Sequence, residues 1–212
     1  PYTADTAVFF SINNSLKGLR GISFGSFLLK QVLSDLGAEL PGLKHFVTLS
    51  PMPRFAEGLR RLLAGEFPDW PAARVDQLLA DHQPALQELS GQASPCAALS
   101  TLLGGRAGQR DSVPVGVLAR MALFYLSELK QGDALFDPVA AFHLANGALL
   151  ERINVRADPS VKGVAQSHGV MVNYRYDPEQ LVANHEAFAR DGRIAMSRPL
   201  QREHDRQLAG RR

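Results

Sequence analysis

Hydrophobic residues recur along this chain with two different periods, and the two periods predict different secondary structures. Four segments with alternating or closely spaced apolar residues are predicted as strands: 7–12, 47–49, 152–156 and 169–176. Segments with apolar residues three and four positions apart are predicted as helices: from about 26 to 36, 55–63, 71–91 with an interruption at Pro84, and 113–129. This mixed order of strands and helices is typical of a layered α/β domain and not of a helical bundle.

One segment lacks an apolar anchor, one is dominated by arginine, and one helix has more apolar positions than a surface helix needs. Residues 104–111 are rich in glycine and charge, which predicts a flexible loop. Residues 190–212 carry seven arginines against three acids, which favours a solvated, partly frayed helix. The helix over 113–129 is apolar on more than one side, so we expect it to be buried.

The composition is that of a globular domain and indicates no special partner. A chain of 212 residues is long enough to bury a sizeable core in one domain. Its net charge of +2 is not a strong nucleic-acid signature. The single cysteine, Cys96, rules out an internal disulfide and suits a reducing compartment. The histidines show no metal-ligand spacing, and no apolar run reaches the ~20 residues that span a bilayer.

The segment FVTLSPMPRF at 46–55 contains the first candidate for chemistry. Val47 and Leu49 alternate with Thr48 as in a strand, and the apolar run stops at Ser50. The two prolines that follow hold the residues before them extended, so no ordinary helix begins at Ser50. We expect a hydroxyl at the end of a core strand on a stiff turn, although most Ser-Pro steps only mark a turn.

A glycine-containing turn lies between the first predicted strand and the first predicted helix. Strand, glycine turn and helix is the arrangement in which free amides at a helix start hold a phosphate, and small residues allow its close approach. The turn resembles the pyrophosphate-binding turn of the GCN5-related acetyltransferase fold, with Ser23 where a glycine is more usual. The residues predicted to bind the ligand are Arg20, Gly21, Ile22, Ser23, Phe24, Gly25 and Ser26. The alternative is a tight turn with no ligand.

The second candidate for chemistry is His143, three residues before Asn146. A lone histidine between apolar neighbours is more often structural than catalytic, and nothing in the local sequence decides the matter. The order of several long motifs decides in favour of a catalytic role for His143. GLRGISFGSFLLKQV, FVTLSPMPRF, FHLANGALLERIN, SHGVMVNYRYDP and NHEAF follow one another here, and together they resemble the catalytic domain of malonyl-CoA decarboxylases.

The resemblance implies a GCN5-related acetyltransferase-like fold, a mixed sheet flanked by helices, with a helical insertion at about 70–130. It implies a lyase of fatty acid metabolism that converts malonyl-CoA to acetyl-CoA and carbon dioxide. Ser50 and His143 are then the catalytic pair, and Tyr176 matches a tyrosine near the acyl pocket, with core packing as its alternative role. Asn146 is assigned to substrate binding, with a helix-turn hydrogen bonder as its alternative role.

Loss of the malonyl carboxylate leaves an electron pair on the α-carbon, delocalised into the thioester oxygen as an enolate. We expect Ser50 to orient the carboxylate or the acyl group, and His143 to protonate the carbanion, because the pKa of histidine ordinarily lies near neutrality. In a second division of roles, His143 activates Ser50 as a nucleophile that carries the malonyl group as an ester. The sequence does not decide between them.

Further expectations concern partners and context. Coenzyme A is part of the substrate, and no separate cofactor or metal is expected. The family has a helical region before the catalytic domain, which we expect to be missing here, and the resemblance implies a homo-oligomer, a tetramer. The compartment is predicted as cytoplasmic for a bacterial protein, and as mitochondrial, peroxisomal or cytoplasmic for a eukaryotic one. The alternatives to a decarboxylase are an acyl-CoA-dependent N-acyltransferase of the same fold and a non-catalytic CoA-binding domain.

Overall fold

The computed structural model describes residues 4–10 and 24–209, without the side chains of residues 24–28 and 107. The strands in this part of the chain are β1 (Thr6–Phe9), β2 (His45–Thr48), β3 (Ser50–Pro51), β4 (Lys130–Gln131), β5 (Ala134–Leu135), β6 (Leu149–Asn154) and β7 (Met171–Tyr176). The helices are α1 (Phe24–Glu39), α2 (Phe55–Leu63), α3 (Ala72–Leu78), α4 (Gln83–Ser90), α5 (Pro95–Gly104), α6 (Ala107–Asp111), α7 (Val115–Ser127), α8 (Pro138–Ala145), α9 (Val161–Ser167), α10 (Leu181–Asp191) and α11 (Arg198–Ala209).

The described residues form two compact units. The first contains the residues up to Ser50 together with Ala141–Arg152 and Val172–Ser197. The second contains Pro51–Ala140, Ile153–Met171 and the residues from Arg198 onward. Helices α3 to α7 fall within the predicted insertion at 70–130, but a single domain with an insertion stays a prediction.

The first unit is built on a mixed sheet. Strand β1 runs parallel to β2 over four residue pairs, from Thr6 opposite His45 to Phe9 opposite Thr48. A parallel pair needs a crossover connection, and α1 belongs to the segment between the two strands. Strand β7 runs antiparallel to β2, and it also pairs with β3 and β6. This sheet and its helices confirm the predicted α/β class and are consistent with the acetyltransferase-like fold that the resemblance implies.

The second unit is mainly helical, with the two-stranded sheet of β4 and β5, and α7 lies at its core. Every residue from Met121 to Ser127 is buried, as are Val117 and Leu118, which confirms the burial predicted from the apolar pattern. Helix α11 is held to this core, because Glu203 accepts from Arg120 at 3.2 Å and His204 Nε2 lies 2.8 Å from Glu128. The solvated helix expected within residues 190–212 is found over Arg198–Ala209, and none of its residues is buried.

Of three further predictions of local structure, one is confirmed and two are wrong. The helix predicted over 55–63 is confirmed to the residue. The interruption predicted at Pro84 is wrong in position, since α3 ends at Leu78 and α4 begins at Gln83. Pro84 lies in the first turn of α4, where a residue without an N–H group costs no hydrogen bond. The loop predicted at 104–111 is also wrong, because Ala107–Asp111 is helical and the Gln109 side chain accepts from the Arg106 amide.

Candidate active site

Ser50 lies where the strand β2 is interrupted and β3 begins. Strand β2 ends at Thr48, and the Leu49 amide donates to the carbonyl of Phe9, while β3 continues the pairing with β7. Ser50 therefore lies within the sheet, at the start of the two-residue strand β3, and it is 6 % exposed. Residues two apart on a strand share a face, and the Ser50 hydroxyl donates to Thr48 Oγ1 at 2.9 Å.

His143 lies near the end of α8, and that helix is anchored at its start. The carboxylate of Asp137 accepts from the Ala140 amide at 2.8 Å and from the Tyr125 hydroxyl at 2.8 Å. Asp137 is thus the N-cap residue, and Pro138 follows it at the first helical position, where its fixed φ suits a helix.

The C-terminal end of α8 is held by the turn that follows and by α10. Gly147 has a φ of +82°, and a Cβ at this position would meet the carbonyl oxygen of Leu181. From α10, Asn184 Nδ2 donates to the Gly147 carbonyl at 3.1 Å, and His185 Nδ1 donates to the Ala145 carbonyl at 2.6 Å. The NHEAF segment thus fixes the backbone just beyond His143.

The structure brings together the three residues that the sequence analysis assigned to catalysis. Ser50 Oγ lies 3.0 Å from His143 Nε2, and the Tyr176 hydroxyl lies 2.7 Å from His143 Nδ1. His143 is 3 % and Tyr176 is 1 % exposed. The Tyr174 ring stacks on the imidazole, with centroids 4.4 Å apart and planes 24° from parallel. The imidazole is therefore held at both nitrogens and on one face.

Burial changes the acid–base properties of this group. It lowers the pKa of His143 from 6.5 to about 4, because the charged imidazolium loses its hydration. It also raises the pKa of the Tyr176 phenol above its ordinary value. His143 is consequently neutral at pH 7, which corrects the expectation of a pKa near neutrality. A neutral imidazole donates at one nitrogen and accepts at the other.

The remaining predicted site residues are less completely described. Asn146 Nδ2 donates to the Phe142 carbonyl at 2.7 Å, as a helix-end hydrogen bonder does, and its assignment to substrate binding stays a prediction. Arg20, Gly21, Ile22 and Ser23 lie outside the described residues. Phe24, Gly25 and Ser26 form the first turn of α1, which begins two residues earlier than expected.

The sequence analysis missed two contributors to this site, Thr48 and Tyr174. Thr48 Oγ1 accepts from both the Ser50 hydroxyl and the Tyr174 amide, the latter at 3.1 Å. The period of two residues is a signal that points to both. Thr48 precedes Ser50 on the same strand face, and Tyr174 precedes Tyr176 in the same way.

Neither a metal centre nor a membrane span is found in the described part of the chain. Within residues 4–10 and 24–209, no group of three or more His, Cys, Asp or Glu side chains is arranged to hold a metal ion. Among the described helices, none combines the length and the apolar character needed to cross a bilayer.

A buried serine and histidine, bonded to each other beside a mixed sheet, define a candidate enzyme site in an α/β protein. Residues 1–211 match the family model of the malonyl-CoA decarboxylase C-terminal domain. The chain therefore belongs to the malonyl-CoA decarboxylase family, and the resemblance stated from its motifs is confirmed.

Individual relatives agree with this assignment. The chain is 36% identical over 182 residues to the mitochondrial malonyl-CoA decarboxylase of Rattus norvegicus, covering 84% of this chain and 36% of the rat protein. The crystal structure of malonyl-CoA decarboxylase from Rhodopseudomonas palustris is similar with a TM-score of 0.72 and 38% identity, over 94% of this chain and 42% of that one. The crystal structure of malonyl-CoA decarboxylase from Agrobacterium vitis is similar with a TM-score of 0.72 and 41% identity, over 95% of this chain and 46% of that chain. The chain thus spans about a third of the length of the curated relative and under half of these solved chains.

Proposed function

We propose that this chain carries the active site of a carboxy-lyase that converts malonyl-CoA to acetyl-CoA and carbon dioxide. The observation that carries the proposal is the buried contact of Ser50 with His143 Nε2 at 3.0 Å, in a chain of the malonyl-CoA decarboxylase family. The substrate is the one named for the relatives, and it is proposed here for this chain.

Ser50 orients the reacting acyl group in this proposal. Cleavage of the bond to the carboxylate releases carbon dioxide and leaves the electron pair on the α-carbon, shared with the thioester oxygen. An oriented donor beside such an oxygen is worth about 3 kcal/mol in a site from which water is excluded. Ser50 is a buried residue, 6 % exposed, which supports a position from which water is excluded.

His143 delivers the proton to the α-carbon. Because burial lowers the pKa of His143 to about 4, the donor is the neutral imidazole. In this proposal the imidazole carries its proton on Nε2. The Nε2–H bond breaks as the new C–H bond forms, and Nδ1 takes the proton of the Tyr176 hydroxyl, 2.7 Å away. The phenolate left at Tyr176, a residue that is 1 % exposed, regains a proton from water only after the products have left the site. In the net reaction, one proton from water takes the place of the carboxylate group, which leaves as carbon dioxide.

The finer predictions belong to the same proposal. The first turn of α1, with Arg20 to Ser26 before and within it, binds the CoA pyrophosphate, and Asn146 lies beside the acyl pocket. Backbone amides at a helix start are unpaired within the helix and favour an anion, which supports the first assignment. No cofactor is proposed besides the CoA of the substrate. Tetramer formation is proposed from the resemblance alone, and analytical ultracentrifugation measures it.

The test is product analysis with malonyl-CoA in the presence of a metal chelator and without an amine. We expect one acetyl-CoA for each malonyl-CoA consumed. Ser50→Ala and His143→Asn should each lower kcat by about a hundredfold or more, with KM changed only a few-fold. His45→Asn, an exposed histidine in the same unit, is the matched control and should keep full activity.

Two outcomes contradict the proposal in different ways. Wild-type turnover in the Ser50 and His143 variants would remove the site assignment while leaving the reaction intact. Release of free CoA in place of acetyl-CoA would indicate hydrolysis or acyl transfer, and the acyltransferase alternative would then describe the protein better.

A further inference from the structure

Thr48 closes one end of the hydrogen-bonded chain that runs through the candidate active site. It is 1 % exposed, and its hydroxyl oxygen lies within hydrogen-bonding distance of two groups. The Tyr174 amide donates to it at 3.1 Å, and the Ser50 hydroxyl lies 2.9 Å away. An amide only donates, so it occupies one acceptor position of the threonine whatever the other groups do.

Four side chains therefore form a single line of hydrogen bonds: Thr48, Ser50, His143 and Tyr176. A neutral imidazole donates at one nitrogen and accepts at the other, so every proton in the line points in the same direction. In one direction Tyr176 donates to Nδ1, Nε2–H donates to Ser50, and Ser50 donates to Thr48. In the other direction all three bonds are reversed, and the proton of Ser50 is directed at Nε2.

The two directions correspond to different chemistry at His143. With the protons directed toward Thr48, Nε2 carries a hydrogen and serves as a proton donor. With the protons directed toward Tyr176, Nε2 is an acceptor and His143 is arranged to activate Ser50 as a nucleophile. Thr48 and Tyr176 are the two ends of the line, and in either direction one of their two hydroxyl protons is left without an acceptor among the described residues.

A phenol is a stronger hydrogen-bond donor than an aliphatic alcohol, because its proton is more acidic. The line is therefore more stable when the Tyr176 proton is used and the Thr48 proton is the one left over. We propose that Thr48 is a positioning residue, which accepts the proton of Ser50 before substrate binds and thereby holds His143 in the tautomer with hydrogen on Nε2. When the acyl group is bound, the Ser50 hydroxyl turns from Thr48 to the acyl oxygen. This inference rests on the decarboxylase function proposed above, and it favours His143 as proton donor over Ser50 as nucleophile.

Two substitutions at one position separate the hydroxyl from the volume of the side chain. Thr48→Val keeps the shape and removes the acceptor, so the Ser50 proton should turn to Nε2 and move the imidazole hydrogen to Nδ1. Thr48→Ser keeps the hydroxyl. The measurement is the 15N chemical shifts of the His143 ring nitrogens in the intact protein at pH 7.5, with kcat and KM for malonyl-CoA on the same samples.

We expect hydrogen on Nε2 in the wild type and in Thr48→Ser, and on Nδ1 in Thr48→Val. The valine variant should lose kcat by about tenfold, the equivalent of one hydrogen bond, with KM within about twofold. Hydrogen on Nδ1 in the wild type overturns the proposal even if the valine variant does not fold. An unchanged tautomer in Thr48→Val, or equal losses of kcat in both variants, overturns it as well. A wild type that shows the expected tautomers but forms no acetyl-CoA contradicts the proposed function only.

Discussion

The folding stability of this protein should decrease as the solution is acidified, because His143 is buried in its neutral form. The pKa of His143 is about 4 in the folded chain, whereas the ordinary value that applies to the unfolded chain is 6.5. Between these values the unfolded chain binds a proton that the folded chain does not bind. Stability is therefore fully present above pH 6.5 and is lost as the pH falls toward 4.

The size of the effect follows from the two pKa values. Proton uptake by the unfolded chain lowers the free energy of unfolding by about 2 kcal/mol at pH 5 and by about 3 kcal/mol at pH 4, relative to pH 7.5. This is a large part of the 5–15 kcal/mol that is typical of a whole domain. The loss should be visible well above the pH at which carboxylates titrate.

The assay is urea unfolding of the wild type and of His143→Asn at pH 7.5, 6 and 5. All other titrating groups are common to the two proteins, so the difference between their pH dependences isolates His143. We expect the wild type to lose about 2 kcal/mol more than the variant between pH 7.5 and 5. Parallel dependences would refute the reasoning, since they would mean that the imidazole is hydrated or charged in the folded state.

Two further changes test how the site is supported. Gly147→Ala should destabilise the chain by about 2 kcal/mol or more, because it combines a positive φ with a clash against a backbone carbonyl. Gly192→Ala, also at positive φ but with nothing within 4 Å of the added Cβ, should cost about 1 kcal/mol. Equal losses of stability for the two variants in thermal unfolding would contradict the packing argument. Asp137→Ala removes the cap of α8 and a buried acceptor and should cost about 1–3 kcal/mol in urea unfolding, while Asp133→Ala, at an exposed position, should change stability by less than about 0.5 kcal/mol.

The local sequence is sufficient for those features that depend on neighbours along the chain. The helix at 55–63 follows from leucines spaced along one face, and it has the predicted bounds. The burial of α7 follows from apolar residues on more than one side. The predicted interruption at Pro84 was wrong because a proline breaks a helix only beyond its first turn. The hydrophobic period does not show in which turn of a helix a residue lies.

The candidate site depends on both the sequence motifs and the tertiary structure. Motifs in order along the chain singled out Ser50, His143 and Tyr176, and the match to the family supports that choice, while their catalytic roles stay predictions. Their mutual geometry was not available from the sequence, because Ser50 and His143 are 93 positions apart. The pairing of β2 and β3 with β7, and the hydrogen bonds that α10 makes to the end of α8, bring these side chains within hydrogen-bonding distance.

The sequence by itself determined the kinds of groups that this protein has for its chemistry: a hydroxyl after a core strand, an imidazole and a phenol. Tertiary structure alone decided how those groups behave. Packing around His143 lowers its pKa to about 4, and the register of the sheet adds Thr48 to the line of hydrogen bonds. The physical reason is that hydration and hydrogen-bond direction depend on which atoms surround a group in space, and those atoms come from distant parts of the chain.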